Sequence, residues 1–367
     1  MALFSRLFRR STSSHFIAID IGSDAAVRSL LFDEREGDCH VLKKQTAELP
    51  DRERDTDLIP AIIEYLRRLL FQYLKETGRV PAQTLIGLGS RFTFNEISTA
   101  RRVRGEPMSS IPAEELESLI EEFLEGHRER IVGGERYALV HVMPFRITVD
   151  GYQIQGIEHA SRGRTLEVEL LTTYALGSYW EELWRLRAVL GGLTVKFISN
   201  QAAVAGAVAK LLGVHDALIV KIGAHITEVA LLKDGTIRFA GQLAMGGADV
   251  TRAIAMVLNV PFADAERVKR QWGETVLPAR STELVTAAIE RAVAKWLEEL
   301  VNLLKTDESV MLPERVYLLG GGAKLSAIEH LLGTAPWASD LTFLETVSVE
   351  RLEAEAIASH VFKKNSS

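Results

Sequence analysis

Residues 216–251, DALIVKIGAHITEVALLKDGTIRFAGQLAMGGADVT, decide how this chain is read. Residues 217–222 are apolar apart from Lys221, and 226–232 form a second strand-like run. A tight turn at 223–225 separates them. Lys233-Asp234-Gly235 is a hairpin signal, because Asp-Gly supplies the positive φ such turns need. A third strand follows at 236–240, and Gly246-Gly247 opens a helix from about Asp249. A turn that aims its backbone N–H groups outward cradles phosphate. The helix N-terminus behind it adds partial positive charge. Lys221, Gly223, Ala224, Gly246 and Gly247 are therefore candidate nucleotide-binding residues.

The start of the chain repeats the pattern. Residues 16–21 read as a buried strand, then come Gly22-Ser23-Asp24 and a second strand at 26–32. Asp20 stands two residues before Gly22. Asp20, Gly22, Ser23 and Asp24 make a second candidate loop. Two such hairpins imply a duplicated architecture with a nucleotide clamped between the halves. Further on, a strand at 316–319 runs directly into Gly320, Gly321 and Gly322, and a helix follows at 324–332. Glycine lets a ligand come close to backbone. The helix at 262–272 carries Glu266 and Lys269 at i, i+3 on one face, which reads either as a ligand contact or as a surface ion pair.

Between these pieces the chain alternates strand and helix. Residues 57–78 keep helical period, with Asp57 as candidate N-cap, and 84–89 is a buried strand. Residues 90–171 differ, with one acidic helix at 112–126 and several strands. Arg101, Arg102 and Arg104 read there as a basic turn, either solvated or touching a partner. A helix at 174–190 carries Trp180 and Trp184, whose i, i+4 spacing suits a core face. The helix at 202–212 is rich in small residues, and Ala203, Gly206 and Ala207 allow close packing of another backbone. A long amphipathic helix spans 281–305, and the reading ends with a last helix over 347–362. The expected organisation is a tail at 1–14, a first lobe at 15–89 and 173–206, an α+β insert at 90–172, a second lobe at 207–342 and a C-terminal helix and tail at 343–367.

Composition narrows the function classes. Hydrophobic residues are 47% of 367, enough for sizeable cores, and the formal net charge of −6 disfavours a nucleic-acid partner. Cys39 is the single cysteine, which excludes an internal disulfide and fits a reducing cytoplasm. No apolar run approaches the roughly 18–20 residues of a membrane span. His225 has no second His or carboxylate at ligand spacing, so no metal site is expected there.

The first ten residues, MALFSRLFRR, place Leu3, Phe4, Leu7 and Phe8 on one helical face, with Arg6, Arg9 and Arg10 around it. They read either as a short amphipathic helix on an anionic membrane or as a tail whose few apolar residues carry no function. So short an anchor binds weakly alone, and oligomerisation would multiply it.

The ordered set AIDIGSDAAVRSLLF, KFISNQAAVAGAVA, VKIGAHITEVALLKDG, MGGADVTRAIA, DAERVKRQWG and VYLLGGGAKLSAIEHLL resembles the actin-like ATPase superfamily. Within it the chain most resembles the bacterial cell-division protein FtsA, with PilM of type IV pilus assembly as second choice. ALVHVMPFRITVDGYQIQGIEHA is similar to the inserted subdomain of FtsA. The resemblance implies a duplicated, ribonuclease-H-like, two-lobed α/β fold with a small α+β insert. It implies ATP or ADP as cofactor, held by the residues named above, with Glu266 and Lys269 toward ribose and adenine. It also implies self-association and a tubulin-like division protein, or another membrane-associated assembly protein, as partner. The expected location is cytoplasmic, on the inner face of the membrane. Where the family usually has an Asp that helps hold Mg²⁺, this chain has Lys221, which cannot ligate the ion. Ala224 and His225 stand where the family has glycine. Lys221 would instead meet phosphate or Asp20, or stand as a solvated strand-end residue, and hydrolysis would be slow or absent. A pilus scaffold is the alternative function, and a small-molecule kinase ranks below both.

Overall fold

A computed structural model describes residues 15–22, 26–35, 38–48, 55–78, 81–154, 161–189, 194–272, 278–306, 311–334, 336–343 and 346–353. The proposed membrane segment 1–10, Ser23, Asp24 and the tail 354–367 lie outside them. Contacts divide the chain into two units, one of residues 1–21, 25–203 and 362–367, the other of 22–24 and 204–361.

The first unit holds a five-stranded sheet. Strands β1 (His15–Ile21), β2 (Ala26–Arg35) and β3 (Asp38–Glu48) form an antiparallel meander. Strand β4 (Gln83–Leu88) pairs parallel with β1, and β10 (Val195–Ser199) pairs parallel with β4, giving the order β10-β4-β1-β2-β3. Ile17, Ile19 and Ile21 alternate inward along β1, as a half-buried strand requires. They pack with Ile62, Leu66, Leu70 and Tyr73 of helix α1 (Asp55–Thr77), whose helical spacing keeps them on one face. That helix starts two residues before Asp57, so Asp57 is inside it rather than its cap.

An insert leaves the chain after β4. Its strands β5 (Thr93–Val103), β6 (Glu129–Val132), β7 (Glu135–Val149), β8 (Tyr152–Ile154) and β9 (Thr165–Leu176) make an antiparallel sheet in the order β5-β9-β7-β6, with β8 on β7. Helix α2 (Ala113–Gly126) buries Leu119, Ile120 and Phe123 against Ala100, Leu166, Val168 and Leu170. The chain then returns through helix α3 (Gly177–Val189), β10 and helix α4 (Asn200–Leu211), within which the division between units falls.

The second unit repeats the first topology. Strands β11 (Ala217–Ile222), β12 (Thr227–Lys233) and β13 (Thr236–Leu243) form the meander, and β14 (Arg315–Leu319) and β15 (Ser348–Arg351) add in parallel, in the order β13-β12-β11-β14-β15. Helices α5 (Gly247–Leu258), α6 (Phe262–Arg270), α7 (Ala279–Leu304) and α8 (Ser326–Thr334) complete it. Leu218, Val220 and Ile222 pack with Ile289, Val293, Trp296 and Leu300 of α7. Among the described residues no helix is long and apolar enough to cross a membrane.

Several expectations are corrected. Residues 348–351 are a strand and not part of a terminal helix, because parallel pairing with β14 supplies backbone partners that a local helix would forgo. Residues 172–176 continue β9, since Thr172–Ala175 is clamped between β5 and β7, and α3 starts only at Gly177. Arg101 and Arg102 lie in β5 rather than a turn, paired with Glu167 and Glu122. Arg104 is buried, not solvated. The buried face of α4 is Ala202, Ala205 and Val208, whereas Ala203 is exposed and Gly206 has open space beside it. Trp180 packs on the first core, but Trp184 is half exposed beneath Arg187.

Candidate nucleotide-binding site

In the second unit the predicted residues converge. The turn after β11 is closed by the Gly223 N–H donating to Ile226 O at 2.9 Å. The N-terminus of α5 docks on that turn, with the Gly247 N–H donating to Gly223 O at 2.9 Å and Ala248 N–H to Ala224 O at 2.8 Å. The Gly246 N–H donates to the Asp249 carboxylate, 2.8 Å away. Orphan amides at this helix start are thus met within the protein. Gly246 must lack a side chain, since a Cβ there would lie 2.5 Å from Gly223 O and 2.6 Å from Ala224 O.

The triple glycine closes on the same hairpin. Gly320 has φ +87°, and a Cβ on it would meet Ile222 O at 2.4 Å. A Cβ on Gly322 would meet the Ile222 side chain at 2.4 Å, whereas Gly321 has open space beside it. Two of the three glycines therefore serve backbone packing, and Gly321 leaves the room. A methyl group on Gly247 would lie 3.3 Å from Lys269 Nζ, 3.7 Å from Gly223 O and 3.8 Å from Gly322 Cα. Hairpin, helix start, α6 and glycine loop thus meet around one glycine.

Lys269 is the polar centre of this group. Its ammonium donates to Gly247 O at 2.8 Å and to Thr251 Oγ1 at 2.8 Å, and pairs with Glu266 at 2.7 Å. Thr251 also hydrogen-bonds Glu266. Burial pushes the Lys269 pKa down against the opposing pull of Glu266. Burial likewise works against the Glu266 charge, but hydrogen bonds from Lys269, Thr251 and Arg270 outweigh it and hold its pKa below the ordinary value. Thr251 was not singled out from sequence, although it stands one turn after Gly247, where i, i+4 spacing faces it to the same side.

Lys221 pairs with Glu228, Nζ to Oε2 at 2.7 Å, and Glu228 is buried. The two are directly opposite in the β11–β12 register. The second strand starts at Thr227 rather than Ile226, and this one-residue shift is what brings Glu228 opposite Lys221. In the first unit, Asp20 Oδ1 accepts from Asn200 Nδ2 at 2.6 Å, and Arg28 stands 3.9 Å from the same carboxylate. Asn200 was also not singled out. Its signal is a polar triplet, Ser199-Asn200-Gln201, at a strand-to-helix junction. Gly22 follows β1, and Ser23 and Asp24 lie outside the described residues.

Known proteins match this architecture. The family model of cell division protein FtsA matches residues 218–360, which include every second-unit segment just described. FtsA of Staphylococcus epidermidis is 34% identical over 135 residues, 32% of this chain and 29% of that one. The ethanolamine utilization protein EutJ of Escherichia coli is 32% identical over 88 residues, 24% of this chain and 31% of that one. The matched stretches thus span about a third of these relatives' length. A solved PilM-PilN type IV pilus biogenesis complex contains a chain of the same fold, with TM-score 0.64, 19% identity, and coverage of 94% of this chain and 89% of that one.

The chain thus has the actin-like fold. Of Gly246, Gly247 and the triple glycine, only Gly321 has open space beside it, where a ligand could approach the backbone. Among the described residues no cluster of three His, Cys, Asp or Glu side chains is placed to hold a metal ion. The Glu228 carboxylate, which faces the hairpin, is already paired with an ammonium.

Proposed function

We propose that this chain is an FtsA-like adaptor of the actin family. It binds ATP or ADP, oligomerises, and tethers a division assembly to the inner face of the membrane through residues 1–10. The convergence of four chain segments on Gly247 is the observation that carries this reading. All four lie inside the stretch similar to FtsA. Asp20, Gly22, Ser23, Asp24, Lys221, Gly223, Ala224, Gly246, Gly247, Glu266, Lys269, Gly320, Gly321 and Gly322 are the proposed nucleotide contacts. Hydrolysis is slow or absent, because Lys221, which pairs with Glu228, stands where the family usually has an Asp that helps hold Mg²⁺.

Titration calorimetry with ATP and ADP, with and without Mg²⁺, tests the site. Weak, Mg²⁺-independent binding is expected of the wild type, and Lys221→Asp should introduce Mg²⁺ dependence by setting two carboxylates side by side. Rapid Mg²⁺-dependent hydrolysis by the wild type would overturn the reading. Replacing Leu3, Phe4, Leu7 and Phe8 with serine should abolish co-sedimentation with anionic liposomes. Unchanged sedimentation would dismiss the anchor.

A pilus scaffold similar to PilM is the second reading, favoured by fold similarity along nearly the whole chain. It predicts capture of a short cytoplasmic peptide from a pilus membrane protein in place of a tubulin-like partner.

A further inference from the structure

The first turn of α4 joins two hydrogen bonds that point in different directions. Asn200 and Gln201 are consecutive and both buried. Asn200 Nδ2 donates to Asp20 Oδ1 at 2.6 Å and lies 3.4 Å from Ile21 O. Gln201 Oε1 accepts from Asn95 Nδ2 at 2.6 Å. Asn95 Oδ1 accepts in turn from Thr173 Oγ1 at 2.8 Å, and Asn95 and Thr173 are cross-strand partners of β5 and β9. Each side-chain amide has distinct donor and acceptor ends, so these partners set the orientation of Asn95. Successive helix residues point about 100° apart, which lets one turn present one amide to β1 and the next to β5.

Room for this arrangement is built into β4. A Cβ on Gly87 would lie 2.1 Å from Asn200 Oδ1, so any side chain there would expel the amide from its place beside Asp20. Buried amides are costly to leave unpaired. A displacement of Asp20 therefore drags Asn200 and, because a helical turn moves as a rigid body, Gln201 with it. Asn95 follows to keep its acceptor.

We infer that Asn95 and Gln201 are positioning residues for Asp20, and that a ligand held at Asp20 is felt in β5 and β9 of the insert. This inference rests on reading Asp20 as a nucleotide contact. It names the inserted sheet as the place where the bound state is reported to a partner. The link is made by side chains and not by the fold alone, so it can be cut without removing any element.

The test uses the full chain with ¹⁵N-labelled asparagine, of which there are five. Without nucleotide, Asp20→Ala should move the side-chain amide signals of Asn95. The movement should vanish in a Gln201→Ala background and survive in Gln201→Glu, which keeps the acceptor. An Asn95 signal indifferent to Asp20→Ala, or equally responsive with Gln201→Ala, would overturn the link whether or not nucleotide binds. With ADP, calorimetry should show several-fold weaker binding for Gln201→Ala and for Asn95→Ala, with the double variant no weaker than either. Full additivity of the two losses would also overturn it. Failure of the wild type to bind any nucleotide would remove the site reading alone, since the ligand-free experiment still decides the link. Thermal melts of each variant separate misfolding from loss of the link, and Gln201→Glu guards against a folding artefact.

Discussion

Arg104 shows what a single residue does here. Its guanidinium donates to Glu115, to Ser109 O and Oγ, to Ser110 O and to Gly163 O. Only 3% of the side chain is exposed. It ties the end of β5, the following loop, α2 and the 161–164 segment into one knot. Arg104→Ala leaves Glu115 without its partner and should cost about 3–5 kcal/mol in urea denaturation. Arg104→Lys should recover only part, because an ammonium cannot reproduce the planar fork. His141 gives a pH-dependent prediction. Burial holds its pKa down at about 4, against an ordinary value of 6.5. The unfolded chain therefore binds the proton more readily, and stability is full above about pH 6.5 and falls as pH drops toward 4. The loss is at most about 3 kcal/mol, and His141→Gln should flatten that part of the stability profile. An unchanged slope would exclude His141 as its source. The role of Arg104 was hidden in sequence because one of its acceptors comes from 59 residues away. The Lys221–Glu228 pair was missed because starting the second strand at Ile226 instead of Thr227 shifts the hairpin register by one residue.

At the level of elements, the triple-glycine loop separates packing from binding. Gly320→Ala meets both a positive φ and the Ile222 carbonyl, so it should destabilise the protein by about 1–3 kcal/mol. Gly321 has φ −64° and open space, so Gly321→Ala should melt like the wild type yet weaken nucleotide binding in calorimetry. Equal melting of both variants would refute the packing role of Gly320. Most element types were readable from apolar period and turn chemistry. The exceptions have non-local causes. Residues 348–351 and 172–176 are strands because neighbouring strands hold them, and their own composition does not demand it.

For the whole molecule, the repeated strand order is the governing fact, with the sheets outside the insert each built as a three-strand meander extended by two parallel strands. Each unit has its own apolar core, one centred on β1 and α1 and the other on β11 and α7. Scanning calorimetry should therefore give a calorimetric enthalpy above the van't Hoff value, as separately cooperative units require. A single two-state transition would show that the units unfold as one. By itself the sequence determined the two hairpins, the glycine loop, the helix and strand periods and the insert, since each depends on residues within a few positions of one another. Tertiary structure alone decided where the charged and polar side chains end up. Asn200 and Asp20 are 180 residues apart, and Lys269 reaches Gly247 across 22. A buried donor takes whatever acceptor the folded backbone brings within about 3 Å, and no local pattern in the chain records which one that will be.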